Sequence, residues 1–335
     1  MIISESAQRE RVRAIGVSLL GGILILGLKA AAYWLTGSMA LESDALESIV
    51  NVAAAAFGLW AVIFAGQPAD KDHPYGHGKV EFLAAAFEGG LITLAALIIV
   101  YESVRALIHG VELKSLGLGM LINIGAGALN GLLGWYLLST GRRLNSKALE
   151  ADGHHVLSDF YTTLGIFVGL LLVKATGVAW LDPVLALFVA AALGRTGYRL
   201  VREAAAALLD EEDSGTIGPL VSGIDKILKK GVDETGVITV HGLRAMRSGR
   251  YTHVDIHLVV PEYMPVSESH VDTERFEKSL IAAAGIEGEL HVHTDPCRKK
   301  YCARCTDSAC PIRVEPIKAP VTLTVEEAVI AEPLE

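Results

Sequence analysis

Six apolar stretches follow one another through the first two thirds of the chain, near residues 14–36, 40–65, 80–108, 116–140, 149–175 and 180–208. Each holds the roughly 20 residues a helix needs to cross a bilayer. Backbone polar groups find no partner in hydrocarbon, so such runs are expected as helices. Short loops join them, and the most polar is Gln67 to Lys79, QPADKDHPYGHGK. At LLDEEDSG the apolar character stops. Beyond it, Ser214 to Lys230 has a helical period, and Val237 to Arg244 and Tyr251 to Val260 read as strands around the turn Arg247–Arg250. Ser267 to Ala284 reads as a helix and Glu289 to His293 as a strand. The expected fold is an all-α membrane domain of six helices followed by a small α+β domain of order αββαβ, an open-faced sandwich.

Composition agrees with this division. With 51% hydrophobic residues and a mean hydropathy of +0.42, the 335-residue chain is too apolar for an ordinary water-soluble protein. The net charge of −9 gives no basis for nucleic-acid binding. Arg9, Arg11 and Arg13 precede the first span, and Lys71 and Lys79 lie between the second and third. Arg142, Arg143 and Lys147 lie between the fourth and fifth, and Arg195, Arg199 and Arg202 near the end of the sixth. Alternate loops are poorer in basic residues, which predicts both termini of this multi-pass protein in the cytoplasm; the membrane expected for it is the cell's inner (plasma) membrane. The expected units are a cytoplasmic segment 1–13, a transmembrane domain 14–208, a cytoplasmic α+β domain 209–296, a cysteine-rich segment 297–313 and a disordered tail 314–335, rich in Pro, Glu and Val.

Polar residues inside the apolar runs carry the candidate chemistry. The second run contains Asp44-x-x-Glu47-x-x-x-Asn51 and the fifth Asp152-x-x-His155-x-x-x-Asp159. Positions i, i+3 and i+7 share one helix face. Ionisable groups within a membrane are costly and usually line an ion path. Glu47 and Asp159 bring two negative charges, His155 an imidazole and Asn51 a neutral oxygen, a mixed set suited to zinc, iron(II), cobalt(II) or manganese(II). An internal polar network that only holds helices together is the plainer alternative. Neutral imidazole binds metal, so binding at His155 would expel a proton, and His155 and Asp159 are the expected proton acceptors. Glu88 follows Glu81 by seven residues on the third span, and the spacing assigns it no role.

Three further clusters lie outside the spans. Asp70-x-x-His73-x-x-x-His77 in the polar loop has metal-ligand spacing. Histidines concentrate in the soluble domain, where His241, His257, His270, His293 and Asp295 are candidate ligands. Cys297-x4-Cys302-x2-Cys305-x4-Cys310 suits a tetrahedral zinc, with unliganded thiols and iron–sulfur or redox chemistry left open. Lys299, Lys300 and Arg304 are expected to lower those thiol pKa values.

GSMALESDALES, DKDHPYGHGKVE, ADGHHVLSD, WLDPVLAL, VHGLRAMRSG and HVHTDP together resemble the cation diffusion facilitator family across roughly residues 10 to 297. The resemblance implies a homodimeric divalent metal/proton antiporter with six spans per subunit and a metallochaperone-like cytoplasmic domain. It implies a transport site at Glu47, Asn51, His155 and Asp159, a loop site at Asp70, His73 and His77, and sensing sites near the dimer interface at His241, His257, His270, His293 and Asp295. Lys79 and Asp210 could form an ion pair at the membrane–cytosol junction. The chain departs from the family's pattern, which has Asp or His at position 47 and Asp at 51.

The sequence therefore predicts a secondary active transporter, not an enzyme. Its cargo is a divalent cation leaving the cytoplasm, zinc first, then iron(II), manganese, cobalt or cadmium. The alternative is a membrane-anchored metal sensor or scaffold that no longer transports, a reading favoured by Asn51.

Overall fold

The structure, a computed structural model, describes residues 5–36, 39–109, 118–178, 180–212, 214–317 and 322–331. The chain divides into two compact units, 1–209 and 210–335.

The first unit consists of six long helices: α1 (Glu5–Thr36), α2 (Met39–Ala65), α3 (Val80–His109), α4 (Leu118–Arg143), α5 (Lys147–Thr176) and α6 (Leu181–Leu208). Among the described residues, five are long and apolar enough to cross a membrane, all but α5. Side chains 166, 170, 173 and 174 of α5 lie outside the described set. The unit is apolar outside as well as inside, with a few polar groups buried between its helices. Leu24, Leu97, Leu132, Trp135 and Phe188 face outward, whereas Glu81, Glu88, Asp152 and His155 are buried with small residues such as Ala84 and Ala151. Outward apolar side chains match hydrocarbon, and inward polar ones must satisfy each other.

Small residues let the helices approach closely, as van der Waals packing in a membrane requires. A Cβ on Gly197 of α6 would stand 2.7 Å from the Gly89 carbonyl oxygen of α3, and one on Gly153 of α5 2.7 Å from the Leu138 backbone nitrogen of α4. One of the orientation arginines has a second task. Arg11 is buried, reaches Glu81 at 3.5 Å and donates to the Leu144 carbonyl, while Ser146 donates to Glu81 at 2.6 Å. This network ties α1 and α3 to the α4–α5 link. A carboxylate this deeply buried requires such partners.

The second unit has the order α7 (Ser214–Leu228), α8 (Val232–Thr235), β1 (Thr239–Ser248), β2 (Tyr251–Val260), α9 (Val266–Ala284), β3 (Gly288–Pro296), a 3-10 turn at Lys299–Tyr301 and α10 (Val325–Val329). The sheet order is β1-β2-β3, the first pair antiparallel and the second parallel. The αββαβ order is present, with the long helices α7 and α9 supplying apolar stripes. Ile217, Leu220 and Ile224 of α7 and Phe276 and Leu280 of α9 meet Val254, Ile256 and Leu258 in one core.

The expectation of a disordered tail needs correction. Leu323 and Ala328 enter that core, the Asp225 carboxylate accepts from the Leu323 amide at 3.0 Å, and Gly242 donates to the Ile330 carbonyl at 2.8 Å. A capping box at Thr324 and Glu327 starts α10. Two apolar side chains and a cap order this segment despite its lack of a helical period.

Candidate metal sites

The two intramembrane motifs come together. Asn51 of α2 donates through Nδ2 to Asp159 Oδ2 on α5, and its Oδ1 stands 3.0 Å from His155 Nε2. His155 and Asp159 are one turn apart on α5, so both face the same seam. Glu47 lies one turn before Asn51 on α2; its side chain is outside the described residues. The other face of the imidazole meets a residue to which the motifs assigned nothing: Glu88 Oε2 of α3 is 3.5 Å from His155 Nδ1. Spacing alone missed this pairing, since His155 lies on a different helix and its approach to Glu88 is not visible in sequence. The seam gathers an imidazole, a carboxylate and an amide in a buried, largely apolar unit, a donor set able to hold a divalent cation.

Asp70, His73 and His77 also converge, their ligand atoms all within 4.8 Å of one another. Asp70 sits 3.2 Å from His73 Nδ1 and 3.3 Å from His77 Nε2, and the two rings are 4.3 Å apart. The loop is shaped for this. Asp70 Oδ1 accepts from the amides of Asp72 and His73, and Gly76 turns with φ of +80°. His77 is buried against the edge of Phe64. The His73 backbone bond holds the Asp70 carboxyl below its usual range, against a smaller opposing effect of desolvation.

Strand register builds the third site. His241 of β1 lies opposite His257 of β2, and His257 lies beside His293 of β3, with Asp295 two residues on. Asp295 Oδ2 is 3.0 Å from His241 Nε2 and 2.9 Å from His257 Nδ1, and its Oδ1 is 3.4 Å from His293. The three ligand atoms of His241, His257 and Asp295 fall within 4.8 Å of one another. A bulge after His241 centres on Gly242 at φ of +61°, where a Cβ would come 3.1 Å from the His257 ring. Burial alone would raise the Asp295 carboxyl, but bonds and charges from His257, His241 and His293 outweigh it and hold it below the usual range. The buried His241 Nδ1 has no hydrogen-bond partner among the described residues. Two imidazoles and a carboxylate fit a zinc-like ion, which these residues would hold. His270 does not join this group: it is exposed on α9 and pairs with Glu274 at 3.5 Å.

The four cysteines carry free thiols and, among the described residues, do not form a third converging group. Cys305 is buried and packs with Tyr301 and Cys297 against Ile238 and Val259. Burial pushes the Cys297 and Cys305 thiols up, which corrects the expected lowering by Lys299, Lys300 and Arg304. Arg313 donates to the Cys302, Cys305 and Asp307 carbonyls and so folds the segment on itself.

The chain thus comprises a helical membrane unit with a buried polar seam and a small histidine-rich α+β unit. Residues 15–209 match the model of the cation efflux transmembrane domain, and residues 221–297 that of the cation efflux protein cytoplasmic domain. The chain belongs to the cation diffusion facilitator family. It is 37% identical over 280 residues to an uncharacterized transporter, sll1263, of Synechocystis sp., covering 84% of this chain and 88% of that one. It is 29% identical over 291 residues to the cation-efflux pump FieF of Yersinia pestis, covering 86% and 93%. The same identity and coverage hold for FieF of Yersinia pseudotuberculosis.

Proposed function

We propose that this protein exports a divalent transition metal from the cytoplasm in exchange for protons. It acts as a homodimer in the inner membrane, with both termini inside. Zinc ranks first as cargo, then iron(II), manganese, cobalt and cadmium. The observation that carries this reading is the meeting of Asn51, His155 and Asp159 from two helices in the buried seam. Glu47 completes the set from α2. His155 exchanges a proton for the cation, and Asp159 serves as the second acceptor.

The Asp70–His73–His77 loop would collect cargo, and His241, His257, His293 and Asp295 would sense it near the dimer interface, His270 joining only through a change in α9. Metal held there would favour the transport-ready dimer. A zinc at Cys297, Cys302, Cys305 and Cys310 would require their sulfurs to draw together, so this site has the least support. Alternating access would rock helices around the seam. A non-transporting sensor is the second reading, favoured by the neutral Asn51.

The test is flux of each cation into liposomes under a pH gradient, for the wild type and Asp159→Ala. Proton-coupled flux abolished in Asp159→Ala, with assembly intact, is the expected result. Wild-type flux in that variant would refute the site.

A further inference from the structure

Glu88 is 1% exposed, and neither of its carboxylate oxygens has a hydrogen-bond donor among the described residues. Its nearest charged neighbours include two more carboxylates, Asp152 and Asp159, which repel it. A carboxylate so placed is poor glue between helices, because a buried acceptor without a donor costs stability. Among the described residues, its oppositely polarised partner is the His155 imidazole, met at Nδ1. The second nitrogen of the same ring, Nε2, points to Asn51 and so to the Asp159 side of the seam. One ring is thus held between a cargo face and a carboxylate.

We propose that Glu88 is a positioning residue for the cargo: its carboxylate receives the Nδ1–H of His155 and thereby presents Nε2 to the metal. Metal-bound histidines commonly give their second N–H to a carboxylate, which fixes the tautomer and makes the coordinating nitrogen more basic. The 3.5 Å separation is slightly beyond the usual bond of about 2.7–3.2 Å. A small turn of the ring, as Nε2 leaves Asn51 for the cation, closes it. The three helices α2, α3 and α5 then contribute jointly to one site.

This inference rests on the transporter reading and is tested beside it, by zinc flux into proton-gradient liposomes as a function of zinc concentration. Glu88→Leu should raise the KM for zinc roughly 10- to 100-fold. Glu88→Gln keeps an acceptor oxygen for Nδ1–H and should raise it less, and both should approach the wild-type maximal rate at saturating zinc. Size-exclusion chromatography checks assembly, and Glu88→Met carries the same prediction should the leucine variant not assemble. A wild-type KM in Glu88→Leu, with Asp159→Ala silent, overturns the positioning role and leaves the transporter reading standing. The reverse order, Gln worse than Leu, also overturns it, because a residue that merely fills apolar space tolerates leucine best. Absence of flux in the wild type overturns both readings together.

Discussion

At Asn51 a single amide decides how the seam is wired. Its NH2 group occupies Asp159 Oδ2 while its carbonyl faces His155, so one residue bridges both prospective ligands. An aspartate there could not donate to Asp159 and would add a charge. Asn51→Asp should therefore tighten apparent zinc affinity about tenfold, or about 1.4 kcal/mol, measured as KM in the same liposomes. A silent wild type that gains flux with Asn51→Asp would instead select the sensor reading. The motif spacing gave access to Asn51, His155 and Asp159, because i, i+3, i+7 is a local property of a helix. It could not assign Glu88, whose role depends on how α3 lies against α5.

Element boundaries show the same dependence on range. The long helices and β2 follow directly from apolar period and length, and α9 begins one residue from its expected start. The five-residue α10 is too short for a period to register, although its Thr324-x-x-Glu327 cap was present in the sequence. Asp225 fastens this segment: it accepts from Leu323 and pairs with Lys229 at 2.6 Å. Desolvation raises its pKa, but the bonds from Lys229 and Leu323 prevail and hold it below the usual range. A depressed carboxyl contributes stability above its unfolded pKa of about 4 and loses it as pH falls through the native value. Asp225→Ala should speed protease cleavage near residues 314–324 about fivefold, the effect of about 1 kcal/mol. Wild-type cleavage, followed with an acid-active protease, should rise below about pH 4. The variant should lack that step.

For the molecule as a whole, 1–209 exposes large apolar side chains and buries a few carboxylates and imidazoles among its apolar helices, whereas 210–335 has an Ile, Leu and Val core. Two solvents explain this: one unit faces hydrocarbon, the other water. From the family resemblance alone we propose that Lys79 and Asp210 act as a charge pair in transport. Reversing either charge should lower zinc flux several-fold, and the double reversal Lys79→Asp with Asp210→Lys should restore it. Failure of the double variant to recover would remove the pair from the mechanism.

The sequence by itself determined what depends on neighbours a few residues apart: helices long enough for a bilayer, the faces bearing the two motifs, the strand alternation and the loop ligands. Tertiary structure decided what depends on contacts between distant segments. It set His241, His257 and Asp295 together through strand register, left His270 outside, and buried Arg11 against Glu81. It also turned Glu88 toward His155 and docked α10 on the soluble core. Periodicity specifies which face a residue occupies; only packing specifies what that face meets.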